Sequence, residues 1–119
     1  MLNNATCFNN IYIVCGRTDL RYGIDSLAGG LRSLGIENPA AANTLYLFCG
    51  RRSDRIKGLV WEGDGFLLLY KKLVNGSFQW PRNASEVKSL TAKQFRWLME
   101  GLTIEPRKSV KEVSLEYMS

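Results

Sequence analysis

The sequence predicts an α+β fold, an antiparallel β-meander of about four to five strands with two helices packed on it. Three observations predict it. Across residues 43–82, short apolar β-forming runs alternate with turn residues and with arginine and lysine, which is the pattern of a meander with a cationic end. Ile24, Leu27, Ala28, Leu31 and Leu34 recur at helical spacing before that stretch. After it, Leu90-Thr91-Ala92-Lys93-Gln94-Phe95 has the form of a helix start. The 119 residues suit one domain that buries its core without disulfides or metals. We place that domain at 1–104 and read 105–119 as a charged, mobile tail, with its ordering on a partner left open.

Taken in order, Ile11-Tyr12-Ile13-Val14-Cys15 is a β-branched run stopped by Gly16, the first strand. Arg17-Thr18-Asp19-Leu20-Arg21 is a charged connection into the first helix, for which Gly35 is the left-handed stop. Gly29-Gly30 costs that helix roughly 1 kcal/mol per glycine, so the helix there is either very closely packed or broken. Residues 37–43 read as a loop or a fragment of helix. In the meander, Ser53-Asp54 forms a tight turn and Glu62-Gly63-Asp64-Gly65 the next reversal. Asn75-Gly76 is the strongest hairpin signal, because type I′ turns need positive φ at both central positions.

These turns set a register. Arg52 then faces Arg55, Phe48 faces Leu59, Tyr46 faces Trp61, Trp61 faces Phe66, Lys57 faces Tyr70, Leu73 faces Phe78 and Lys71 faces Trp80. One face of the sheet collects Tyr46, Phe48, Leu59, Trp61, Phe66 and Leu68, and the other collects Leu45, Leu47, Val60, Leu67 and Leu69. Both faces need cover, from helices on one side and from the N-terminal strand or a partner on the other. In the second helix Thr91 and Gln94 make a capping box and Leu90 staples to Phe95. Its buried stripe is Phe95, Leu98, Met99 and Leu102, and Gly101 ends it.

The same register gathers Arg51, Arg52, Arg55, Lys57, Lys71 and Lys72 at one end of the sheet, opposed locally by Asp54 alone. Arginine offers a planar fork of donors and lysine a point charge, so phosphate groups are natural ligands there. Arg82 adds to the cluster, and Trp80 and Tyr70 lie near enough to add stacking. A formal charge of +5 and a pI near 9.3 favour acidic partners, nucleic acid first. The competing reading is that these are solvated strand ends protecting an edge.

Other classes recede. The chain has no histidine, which excludes His-based acid/base work and Ser/His or Cys/His nucleophile pairs. Cys7, Cys15 and Cys49 form no CxxC and read as free thiols, Cys15 and Cys49 as small core residues. Asp19, Asp25, Asp54, Glu62 and Asp64 offer carboxylates for a divalent metal, but pairing with arginine, turn chemistry and a helix first turn account for them more simply. No metal or other cofactor is expected. The longest apolar run, residues 66–70, is far too short to span a bilayer, and the N-terminus has no secretory pattern, so no membrane association and a cytoplasmic location are expected.

RRSDRIKGLVWEGDGFLLLYKKL, then Gly76, Phe78 and Gln79-Trp80-Pro81-Arg82, with Thr18-Asp19-Leu20-Arg21 and Gly23-Ile24-Asp25 upstream, resembles a known family. It is the TnpB family of small accessory proteins, the second open-reading-frame products of the bacterial insertion sequences numbered sixty-six. The likeness covers roughly residues 11–104, and the matched motif positions are Asp19, Arg21, Asp25, Arg51, Arg52, Asp54, Arg55, Lys57, Trp61, Lys71, Lys72, Trp80 and Pro81. The resemblance implies a role in transposition beside a transposase and a second element-encoded helper protein. The expected function is that of a non-catalytic accessory protein that binds DNA phosphates, or the transposase on DNA, through the basic sheet end. A protein adaptor for the transposase without DNA contact is the alternative, and a metal-dependent phosphodiesterase is a third.

Overall fold

The computed structural model describes residues 7–82 and 85–104. The tail expected over 105–119 lies outside the described residues. Five strands form one sheet, β1 (Asn10–Val14), β2 (Thr44–Cys49), β3 (Arg55–Trp61), β4 (Phe66–Lys72) and β5 (Val87–Leu90), in the order β4-β3-β2-β1-β5. Two helices join them, α1 (Ile24–Ser33) and α2 (Ala92–Met99). The α+β class holds, but the sheet is mixed: β1 pairs with β2 in parallel, Tyr12 opposite Tyr46, while the other neighbours are antiparallel.

The N-terminal strand therefore does not cover a face. It lies within the sheet, and β2 between β1 and β3 is buried at all six positions. The two faces divide as the alternation predicts. Tyr46, Phe48, Leu59 and Val14 pack under Leu27, Ala28 and Leu31 of α1, with Phe66 and Leu68 at the margin. Leu45, Leu47, Ile56, Val60, Ile11 and Ile13 pack on the other side against Phe78, Trp80, Phe95, Leu98 and Ile104. The helices thus take opposite faces rather than sharing one.

Register departs from expectation at two places. β3 and β4 pair as predicted, with Trp61 opposite Phe66 and Lys57 opposite Tyr70. Their reversal puts Gly63 at φ 96 and closes with Glu62 N–H donating to Gly65 O at 2.9 Å. Between β2 and β3 the pairing is Tyr46 with Leu59 and Cys49 with Ile56, a slip of two residues from the Ser53-Asp54 turn. Because side chains alternate with period two, an even slip leaves every residue on its predicted face. The slip arises because residues 50–54 form a wider loop, with Ser53 O accepting from Phe78 N–H and Asp54 O from Leu73 N–H, both at 2.7 Å.

The Asn75-Gly76 hairpin does not form. Gly76 has φ 84, but Asn75 is not in the left-handed region that a type I′ turn requires of both residues. Leu73 and Phe78 do not pair, nor do Lys71 and Trp80. The chain instead leaves β4 at one edge of the sheet and crosses to β5 at the other. Four inter-strand gaps of about 4.8 Å separate the two, a distance that residues 73–86 span with length to spare. Phe78 and Trp80 are buried beneath the sheet on the way.

Both helices end in paired bonds around a left-handed glycine. In α1, Gly35 (φ 100) donates to Arg32 O and Ile36 to Leu31 O, and in α2, Gly101 (φ 80) donates to Leu98 O and Leu102 to Trp97 O. The Thr91–Gln94 capping box is present in both directions, at 3.0 and 2.9 Å. Leu102, expected in the buried stripe, lies past the helix end and is exposed. Helix α1 runs unbroken through Gly29 and Gly30, yet nothing lies within 4 Å of a Cβ built at either position. Neither close packing nor a break explains the pair. Replacing Gly29 or Gly30 by alanine is therefore expected to stabilise the protein, by up to about 1 kcal/mol each, because alanine loses less entropy on joining a helix. A thermal melt that shifts upward for both variants checks this.

Candidate functional site

Because β1 and β2 run parallel, the loops leaving their carboxyl ends lie side by side. Residues 15–23 follow β1 and residues 50–54 follow β2, and β3 begins and β4 ends at the same end of the sheet. Between them opens a groove of about 970 Å³ on the α1 side. Its rim carries Arg17, Asp19, Arg21, Arg51 and Arg52, and its floor Leu20, Arg55, Lys57, Leu68 and Tyr70. Gly50 lets the two loops close on each other, since a Cβ there would stand 3.1 Å from Leu20 Cγ.

The charges in this groove are arranged unequally. Arg21 clasps Asp19, with Nε donating to Oδ1 at 3.0 Å and Nη2 to Oδ2 at 2.7 Å. Those bonds hold the Asp19 carboxyl well below the usual range, at about 2. Arg55 donates through Nε to Asp54 Oδ1 at 3.0 Å, and Arg52 stands 3.8 Å from the other oxygen. Arg55 chiefly, with Arg52 adding charge, lowers the Asp54 pKa. Lys57 Nζ donates to Tyr22 O at 3.0 Å and so ties the sheet to the segment before α1. Arg17 and Arg51 are exposed and have no such acidic partner among the described residues. Two carboxylates are committed to arginines, and the surplus is positive.

Of the residues expected to meet nucleic acid, Arg51, Arg52, Arg55 and Lys57 are brought together here. Lys72 pairs with Arg55 in the β4 register and is exposed beside the groove. Lys71 is not part of this surface. It shares the opposite face of β4 with Leu67 and Leu69, because alternation turns every second residue away. Trp80 offers no stacking face either: the residue is only 7% exposed, packed in the core, and its Nε1–H donates to Val14 O at 2.9 Å. Arg82 is a clamp. Nη1 donates to Gly16 O at 3.0 Å, and Nη2 donates to Gly50 O at 2.6 Å and to Ser53 Oγ at 3.0 Å, joining the two loops of the groove.

The remaining motif residues also separate. Pro81 O accepts a bond from Gly16 N–H at 2.8 Å, beside the Arg82 clamp. Asp25 is exposed in the first turn of α1, where a negative charge suits the helix N-terminus. Trp61 is at the far end of the sheet, edge-on to Phe66 with ring centroids 5.0 Å apart. Sequence reasoning missed Arg17, Leu20 and Gly50 as groove residues. No local pattern could have found them, since only the parallel β1–β2 pairing sets 17–21 beside 50–52.

None of Cys7, Cys15 and Cys49 is in a disulfide; Cys15 and Cys49 are buried and Cys7 is exposed, and burial pushes the Cys49 thiol up. Among the described residues, no group of three or more His, Cys, Asp or Glu side chains is placed to hold a metal ion, and no helix is long and apolar enough to cross a membrane.

Comparison with known proteins agrees with the motif pattern. Residues 9–109 match the model of the family described as IS66 Orf2 like protein. Two similar chains come from Sinorhizobium fredii (strain NBRC 101917 / NGR234). The uncharacterized protein y4hO is 32% identical over 92 residues, covering 77% of this chain and 79% of its own length. The uncharacterized protein y4jC is 28% identical over 103 residues, covering 85% of this chain and 87% of its own. No solved structure matches. With nearly all of its described residues inside that match, the chain belongs to the IS66 Orf2-like family, the TnpB accessory proteins of insertion-sequence transposition.

Proposed function

We propose that the protein assists transposition by holding DNA phosphates, alone or with the transposase on them, in the groove between the β1 and β2 carboxyl ends. The observation that carries this reading is the charge balance of the groove, where Arg17, Arg21, Arg51, Arg52, Arg55 and Lys57 converge against Asp19 and Asp54. Guanidinium groups on an open rim take phosphate oxygens with little reorganisation and release the counterions condensed on DNA. Its contribution is non-catalytic. Both carboxylates already accept arginine donors, which leaves neither disposed to bind a divalent metal for phosphodiester cleavage.

The test is fluorescence anisotropy with labelled DNA at several salt concentrations. Affinity is expected to fall steeply as salt rises. Joint replacement of Arg51, Arg52 and Arg55 by alanine weakens binding and lowers the logarithmic salt slope, by about one for each phosphate that is no longer neutralised. Salt-independent binding, or none, overturns the proposal. The adaptor reading has one observation in its favour, the edge strand β4, on which Phe66, Leu67, Leu68 and Leu69 are only half-buried. Retention of transposase after nuclease treatment, with no DNA affinity in the isolated protein, selects that reading instead.

A further inference from the structure

The groove contains more than a phosphate site requires. Arginines alone on a convex rim suffice to follow a duplex backbone, yet here the cations surround an apolar floor. Leu20 and Leu68 are half-buried in it, and Tyr70 stands 55% exposed on β4, directly opposite Lys57. Arg55 lies close enough to the Tyr70 hydroxyl to feel it. Trp80 and Phe78 are committed to the core, and of the two exposed aromatics at this end of the sheet, Tyr22 and Tyr70, it is Tyr70 that lines the groove. At about 970 Å³ the open groove falls within the roughly 300–1,000 Å³ range of small-molecule clefts, with room for a nucleotide.

We infer that the groove accepts an unpaired nucleotide of DNA, its base against Tyr70 and the Leu20–Leu68 floor and its flanking phosphates on Arg51, Arg52 and Arg17. This rests on the phosphate-binding reading and narrows its ligand to single-stranded or frayed DNA. An aromatic ring and an apolar floor gain from an unstacked base, which has two free π-faces, and gain nothing from a duplex, whose bases are already stacked. Guanidinium groups around the ring supply both phosphate contacts and cation–π contact with the base.

Anisotropy titrations of the full chain against a labelled 12-nucleotide single strand, its blunt duplex and the duplex with a single-stranded overhang test this. The single strand and the overhang are expected to bind at least about tenfold more tightly than the blunt duplex at matched salt. Tyr70→Ala is expected to cost the single strand about tenfold and the duplex less than about twofold, with the salt slope unchanged because no charge is removed. Tyr70→Phe keeps the ring and retains wild-type affinity. If the blunt duplex binds as tightly as the single strand, or Tyr70→Ala leaves single-strand affinity intact, the inference falls while the phosphate site stands. If neither DNA binds, both fall together.

Discussion

Trp80→Ala is expected to lower stability by about 3–5 kcal/mol, the usual cost of emptying a large aromatic site in a close-packed core. Few single changes in this chain should cost more. Set against whole-domain stabilities of about 5–15 kcal/mol, the variant has a melting temperature lower by more than about 10 °C. Two terms combine in that loss. The indole ring packs in the cluster that joins Phe78, Phe95 and Leu98 to β1 and β2, and its N–H satisfies Val14 O at the end of β1. Trp80→Leu refills much of the volume but cannot stack on a base, and it separates core from contact. Measured where it is fully folded, it is expected to bind DNA as the wild type does. A clear loss of affinity in folded Trp80→Leu would return Trp80 to the interface.

Arg82→Ala is expected to have the larger effect on function. Its guanidinium bridges Gly16 O to Gly50 O and Ser53 Oγ, so its removal frees the two loops that carry Arg17, Arg51 and Arg52. The stability cost is about 1.5 kcal/mol, at the low end for bonds to a charged group because the side chain is partly open to water. The binding cost should exceed that of removing Arg51 alone, since several cations leave their positions at once. Arg82→Lys does not restore binding, because a point charge cannot span the acceptors that a planar fork reaches. Hydrogen exchange provides the independent readout: amides at 16–18 and 50–53 should exchange faster in both variants, while those of β2 and β3 hold. Unchanged loop exchange with a salt slope reduced by about one identifies Arg82 as a direct phosphate contact instead.

These two residues also show how far the chain could be read in advance. In the sequence, Trp80 and Arg82 look like Tyr70 and Arg51, aromatic and cationic residues near the same sheet end. What distinguishes them is the path of residues 73–86. A hairpin at Asn75-Gly76 would have laid Trp80 beside Lys71 on an exposed edge. The crossover carries it under the sheet, where its ring becomes core and Arg82 becomes a strap between loops. Turn chemistry identifies residues able to reverse the chain, but burial of Phe78 and Trp80 decides where the chain then goes.

Local physics was enough for much of the rest. The Thr91–Gln94 capping box, the glycine stops at Gly35 and Gly101, and the β3–β4 register all depend on residues within a few positions of one another. The partition of Tyr46, Phe48 and Leu59 from Leu45, Leu47 and Val60 followed from alternation and survived a register slip because the slip was even. The sequence by itself thus determined β1 to β4 and the two helices with their buried faces, the family and the cations of the β2–β3 loop, whereas β5 was not among its elements and the strand expected after Asn75-Gly76 does not form. The parallel pairing of β1 with β2 was decided only in the tertiary structure. Periodicity reports which side of a strand is buried and says nothing about which strand lies next to it, and α1 lies between these two in the chain. That one pairing brings Arg17, Asp19 and Arg21 beside Arg51 and Arg52, turning a charged strand end into a groove.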